Sequence, residues 1–266
     1  MPRPPTVAVV GDVALARRLA LAGLAPAVGE PAAAVVVGGP VGERAAVAGR
    51  AVARGAHAFV LWPPGVSAAE LDALGSRAEE AGVEVGVARP LETAALLAGR
   101  PVGWTARLVT LSAVAAPGGP LARAGWPALL AGALDLAAAL AGSHAAARLD
   151  AEAERDGAAL RAVALAVRLR NGAFAQVALR RSPQADRDEV ALYASRPGSR
   201  VEARSFRGPL CLDGAPTGPT ASVAAGAAAE AGAFARAVSA GRAPAYPLGD
   251  ALATLRLVEQ AQERLR

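Results

Sequence analysis

Apolar residues in the first hundred positions fall into four short runs, each followed by a turn and a stretch of helical spacing. Thr6-Val-Ala-Val-Val10 ends in Gly11-Asp12, and residues 13–22 continue with helical character. Residues 33–37 end in Gly38-Gly39-Pro40, and helical spacing covers 43–55. Residues 58–61 close on Trp62-Pro63-Pro64-Gly65, after which Ser67 is placed to cap a helix reaching Ala81, with Glu70 in its first turn. A fourth run covers 83–87. Strands alternating with helices at this spacing predict a mainly parallel sheet covered on both faces.

The pattern changes near Gly99. A strand over 106–115, a Pro/Gly loop and an Ala/Leu-rich helix over 127–141 give way to period-two alternation at 146–154, 160–169 and 173–181. Asn171-Gly172 lies between the last two runs, a strong hairpin signal. Another strand pair, 189–195 and 200–204, flanks Arg196-Pro-Gly-Ser199, and helices are predicted over 221–240 and 249–265. The expected architecture is α/β: a shortened, mainly parallel nucleotide-binding-type domain over residues 1–100, then an α+β domain over 101–266. The second domain has an open, mostly antiparallel sheet and includes the closing helices.

Composition narrows the function classes. A chain of 266 residues that is 53% hydrophobic can bury a sizeable core. No stretch of about 18 apolar residues runs unbroken by charge, Pro or Gly, so neither a membrane span nor a signal peptide is expected. The single cysteine, Cys211, cannot form an internal disulfide and reads as a small buried hydrophobe; cytoplasmic residence is the expectation. All 28 basic side chains other than histidine are arginines, and the pI is near 10.7. They are scattered among Asp and Glu with few aromatics, which argues against nucleic-acid binding. His57 and His144, with no Cys or carboxylate cluster in sequence, suggest no metal site and read as surface or loop residues.

Two stretches carry a family resemblance. Ala233-Phe-Ala-Arg-Ala-Val-Ser-Ala-Gly-Arg-Ala-Pro, followed by Gly249-Asp-Ala-Leu-Ala-Thr-Leu-Arg-Leu-Val-Glu-Gln-Ala, resembles the closing signature of the Gfo/Idh/MocA oxidoreductases. Arg170-Asn-Gly-Ala-Phe is similar to that family's Asn-Gly-Ala hairpin. The resemblance implies a two-domain fold, a bound NAD(P), a sugar- or cyclitol-like substrate, and pairing of subunits through the C-terminal sheet.

At the positions where the resemblance places the chemistry, this sequence departs from it. The phosphate-binding Gly-x-Gly-x-x-Gly/Ala reads Gly11-Asp12-Val13-Ala14-Leu15-Ala16, so a branched side chain and a negative charge stand where the phosphates would approach. Gly11, Asp12, Val13, Pro40 and Trp62 line the family's cofactor position. Trp62 is expected in the crevice at the strand ends, stacking on a ligand or, by preference, plugging it. Glu-Lys-Pro is replaced by Trp62-Pro63-Pro64, leaving proline where the lysine would be. Asp-x-Gly-x-His-x-x-Asp falls on residues 128–135, so Ala128 and Gly132 occupy the aspartate and histidine positions and Asp135 matches the last aspartate. A further family histidine falls at Arg44.

The ribose-binding end of the second strand would fall at Gly29-Glu30, but the next strand already begins at Ala33. A five-residue strand rises about 17 Å, and two residues reach about 7 Å, so residues 24–32 are expected to be a loop or short irregular edge. These departures point to a non-catalytic homologue without a cofactor, a structural or regulatory subunit in a homodimer or in a heteromer with an intact relative. The alternating runs 160–169 and 173–179 would provide its partner face. The alternative is an NAD(P)-dependent oxidoreductase with an atypical site, for which Arg44, Arg89 and Asp135 are the candidate catalytic residues. A third reading is a small-molecule sensor.

Overall fold

The computed structural model describes residues 6–11, 25–26, 34–205, 210–217 and 226–266. The expected helix over 13–22, together with Asp12, Val13 and Gly29-Glu30, lies outside the described residues. Six α-helices are described: α1 (Arg44–Val52), α2 (Ala68–Glu80), α3 (Ala94–Ala98), α4 (Pro120–Ala141), α5 (Gly226–Ser239) and α6 (Leu248–Arg264). Contacts group Met1–Arg89 with Ala224–Leu252 as one unit, and Pro90–Val223 with Ala253–Arg266 as another. Thus α5 and the first residues of α6, expected with the second domain, are grouped with the first unit.

The first unit is built on a parallel sheet of strands β1 (Thr6–Val10), β2 (Ala25–Pro26), β3 (Ala34–Val37), β4 (His57–Val60) and β5 (Val85–Val87), in the order β2-β1-β3-β4-β5. The brevity of β2 makes this order possible. Pro26 pairs with Val7 on one side of β1, and Ala34 pairs with Val7 on the other. The two flanking strands lie about 10 Å apart, and the chain joining Pro26 to Ala34 reaches about 28 Å at full extension. A five-residue β2 would have ended well above the start of β3. The irregular edge expected over 24–32 is therefore a two-residue strand where it is described.

Val7, Val36, Phe59, Phe234 and Ala235 form the centre of the apolar cluster in this unit, with Phe59 and Phe234 ring centroids 5.3 Å apart. Phe234 comes from α5, so that helix covers one face of the sheet. On α2, Ser67 accepts from the Glu70 backbone N–H while Glu70 accepts from the Ser67 backbone, the capping box that the sequence predicts.

The second unit holds strands β6 (Leu108–Ala115), β7 (Ala146–Asp156), β8 (Ala159–Leu169), β9 (Phe174–Arg181), β10 (Glu189–Arg196), β11 (Ser199–Ala203), β12 (Leu210–Leu212) and β13 (Ala215–Thr217). Their order is β13-β12-β11-β10-β6-β9-β8-β7. β6 and β9 pair in parallel and the other neighbours pair antiparallel. The β8–β9 connection carries Asn171-Gly172, as predicted, whereas the β12–β13 hairpin is an addition to the sequence reading. Cys211, on β12, is half-buried rather than fully buried.

α4 lies on β6 and β9, and every residue from Leu129 to Ala141 is buried. It is long and apolar enough to cross a membrane, yet 72% of its most apolar window is covered within the protein, as for a core helix. Gly125 breaks its helical geometry (φ 77°, ψ 165°), so the straight portion starts near Pro127, where the apolar pattern places the helix.

The apolar alternation of β8 and β9 faces inward: Val163, Leu165, Val167, Val177 and Leu179 are all at most 3% exposed. The face expected to meet a partner is thus covered within the chain. The outward face instead carries small and polar side chains, with Ser112 beside Ala178 beside Ala164, and Thr110 beside Gln176 beside Ala166.

Candidate functional site

In the first unit, the strand order reverses direction at β1, with β2 on one side and β3 on the other, and the carboxyl ends at such a point are where α/β sheets bind ligands. The ends of β1 and β3 meet closely there. Gly11 has φ +83° and Gly39 φ +75°, and a Cβ on Gly11 would lie 3.0 Å from the Gly39 Cα. Only a pair of glycines allows this approach. Gly38 donates its N–H to the Val10 carbonyl at 2.9 Å, fixing the two ends together.

Arg44, in the first turn of α1, points its guanidinium at the same strand ends. Nε and Nη2 donate to the Gly39 carbonyl at 3.1 and 2.9 Å, and Nη1 donates to the carbonyls of Leu61 and Pro63 at 3.2 and 2.8 Å. This candidate therefore clamps the loops after β3 and β4. Pro40, exposed beside it, precedes the short turn Val41–Glu43 and supplies no side-chain cap.

Trp62, joined to Pro63 by a cis peptide, is half-buried and packs against the apolar cluster of the first unit. Its Nε1–H is buried without an acceptor among the described residues. Arg89 follows β5: its backbone N–H donates to Glu230 Oε2 at 2.8 Å, and its guanidinium lies 3.9 Å from the Tyr246 ring centroid. Glu230 is on α5 and Tyr246 precedes α6, so Arg89 ties the end of β5 to these closing segments.

The second unit holds a buried polar cluster centred on Asp135, in the middle of α4 and 0% exposed. Thr93 Oγ1 donates to one carboxylate oxygen and Thr254 Oγ1 to the other, both at 3.2 Å. His144 Nε2 lies 3.4 Å from Asp135 Oδ1, with its side chain only 10% exposed. His144 is thus a loop residue, as expected, but its side chain is largely covered and lies beside a buried carboxylate; His57 accepts the Glu84 N–H through Nδ1. Asp135 itself is detectable in sequence, since it is the one charge in the apolar stretch 127–141 and such a charge requires partners. The two threonines, distant in sequence, give no comparable signal.

One turn earlier on α4, the position matching the family histidine is closed. A Cβ on Gly132 would lie 2.5 Å from Leu91 Cδ1 and 3.1 Å from Leu91 Cβ, so Leu91 fills the space next to the helix backbone. Leu91 holds this place with φ +52°, a left-handed conformation unusual for leucine. No group of three or more His, Cys, Asp or Glu suited to a metal ion is found among the described residues.

No protein-family model and no curated protein sequence matches the chain. Solved structures do. UDP-N-acetylglucosamine 3-dehydrogenase GnnA from Acidithiobacillus ferrooxidans superposes with a TM-score of 0.80 at 18% identity, covering 98% of this chain and 97% of that one. A dehydrogenase from Chromobacterium violaceum gives a TM-score of 0.77 at 19% identity over 100% and 96% of the two chains. Biliverdin reductase from Synechocystis sp. PCC 6803, solved in complex with biliverdin and NADP+, gives 0.71 at 15% identity over 98% and 99%. These neighbours are oxidoreductases of the Gfo/Idh/MocA type, and over nearly its whole length this chain has their fold.

Proposed function

We propose that this protein is a non-catalytic homologue of the Gfo/Idh/MocA oxidoreductases that acts as a structural or regulatory subunit in the cytoplasm. The observation carrying this reading is Gly132: the position matching the family's histidine has no ionisable side chain, and Leu91 occupies the room one would need. Three further positions agree. Proline stands at 63 where a lysine would be, Ala128 stands where the first aspartate would be, and the Arg44 guanidinium is turned onto main-chain carbonyls. Gly11 retains the family turn, but the described residues offer no group to exchange a proton with a substrate hydroxyl or carbonyl at the family's positions. They do not fit hydride-transfer chemistry on NAD(P).

The partner surface in this reading is the outward face of the second unit's sheet. Its small side chains allow a second sheet to approach closely. Arg168 and Arg180 on one side, and Asp150, Glu152 and Glu154 on β7, provide opposite charges for a two-fold arrangement with another copy or an intact relative.

A second reading remains, an NAD(P)-dependent oxidoreductase acting on a sugar- or cyclitol-like substrate. It is favoured by the Gly11 turn and by neighbours solved with NADP+ or NAD. Titration with NADH and NADPH, followed by nicotinamide fluorescence and melting temperature, separates the two. A ligand at a hundred times its Kd stabilises a fold by about 2.7 kcal/mol. The non-catalytic reading expects no saturable response up to millimolar cofactor, and saturable binding with turnover of any sugar or cyclitol would overturn it.

A further inference from the structure

A cavity of about 250 Å3 lies in the second unit at the carboxyl ends of β6 and β9. Ala115, Pro117 and Ala122 give it apolar walls, while Arg161, Arg181 and Ser182 supply its polar groups. The two arginines stand at the end of the β8–β9 pairing. β8 and β9 pair Val163 with Leu179 and Ala162 with Arg180, where the pairing ends; Arg161 and Arg181 are the next residue on each strand, and both line the cavity. Arg181 lies over Trp126 of α4, while Arg161, beside an irregularity in the β7–β8 pairing, keeps its side chain 42% exposed at the mouth of the cavity. Like charges brought close on neighbouring strands are unfavourable, and Asp156 offsets only the Arg161 side of this pair.

The acidic groups nearby are already engaged. Asp156 forms an ion pair with Arg161 at the strand end. Asp188 accepts the backbone N–H groups of Ala116 and Leu121 at 2.9 and 2.7 Å. Arg181 has its guanidinium 5.3 Å from the Trp126 ring centroid, and Trp126 is itself fixed by donating Nε1–H to the Leu160 carbonyl at 3.1 Å. Arg181 Nε–H is nevertheless buried with no acceptor among the described residues. A buried donor on a charged group without a partner is costly. Ser182 donates its hydroxyl to Gln184 Oε1 at 3.4 Å, which leaves its oxygen able to receive a further contact.

We propose that this cavity binds the oxyanion group of a small molecule, carboxylate or phosphate, between Arg161 and Arg181. Arginine's planar fork suits both groups, and Arg181 Nε is the donor that waits for one. The volume leaves room for an oxyanion and a short carbon body against the alanine and proline walls. All the residues lining the site belong to the second unit.

Calorimetry and melting temperature of the full chain with butyrate and with inorganic phosphate, each against chloride at equal ionic strength, test this. Saturable binding of at least one anion is expected, weakened about tenfold or more in Arg181→Gln and in Arg161→Gln. Without the anion, Arg181→Gln should melt no lower than the parent, because the buried Nε–H without an acceptor is removed. Arg181→Lys, which keeps the charge but loses the fork, carries the test if the glutamine variant does not fold, and is also expected to bind more weakly. Butyrate alone would identify a carboxylate with an apolar body, phosphate alone a phosphoryl group, and both a site that reads only the oxyanion. No saturable response to either up to about 50 mM, or a response unchanged in the Arg181 variants, would overturn the proposal.

Discussion

Asp135 shows what one residue's surroundings decide. As a candidate for chemistry it should be reachable; instead it is fully buried, with both carboxylate oxygens accepting threonine hydroxyls and His144 alongside. Its role in the structure is to join α4 to Thr93 before α3 and to Thr254 on α6. Asp135→Ala would remove the carboxylate that two buried hydroxyls donate to and open a small void. It should cost about 2–4 kcal/mol, measured by urea denaturation. Gly132→Ala tests the other side of the same helix. Its methyl would meet Leu91, and unless that side chain moves aside the variant should lose about 1–3 kcal/mol in the same measurement. An undiminished midpoint in urea would show that Leu91 gives way and that the room for a side chain at 132 is larger than it looks. The sequence located both residues through the family pattern. It located Arg44 in the same way but could not show what its guanidinium binds, since the carbonyls that receive it come from three positions spread over Gly39–Pro63.

Single elements were most legible where the signal is local. Ser67 and Glu70 form the expected reciprocal cap of α2, and Ser67→Ala should lower stability by about 1 kcal/mol. The pH response of this cap follows from the same bonds. The Ser67 backbone N–H and then its hydroxyl hold the Glu70 carboxyl below its ordinary value of 4.5. A carboxyl lowered by folding contributes stability above its unfolded pKa and loses it as pH falls through the lower folded value. The start of α2 should therefore be fully capped at neutral pH and fray below about pH 4, seen as faster amide exchange near Ser67 in acid. Elements whose extent depends on distant partners were harder to read. β2 is set by its pairing with Thr6 and Val7, and the β12–β13 hairpin by the edge offered by β11; neither has a periodic pattern long enough to reveal it.

For the whole molecule, the alternation of β8 and β9 correctly marked a buried face but misassigned what buries it. That face is buried within the chain, with α4 packed on its β9 part, and the surface left for a partner is the small-residue side. Periodicity tells which residues are covered, not whether the cover belongs to the same chain. If the proposed subunit role is right, the purified protein should sediment as a dimer or larger. Ala178→Glu should convert it to a monomer with an unchanged melting profile of the isolated subunit, because Ala178 is exposed on that face. A wild-type chain that sediments as a monomer across the micromolar range, without an intact relative present, would move the proposal to the heteromer.

The central position of β6 has a consequence for synthesis. β6 is flanked by β9 and β10, and β9 begins about 60 residues further along the chain. At a translation rate of about 5–20 residues per second, Val109, Leu111 and Ala113 wait several seconds for their neighbours to be made. Meanwhile α4 is the first covering available to them. A ribosome paused between residues 141 and 174 would thus display a strand and helix with no sheet to join, the stage at which this chain is most exposed to aggregation and to capture by chaperones.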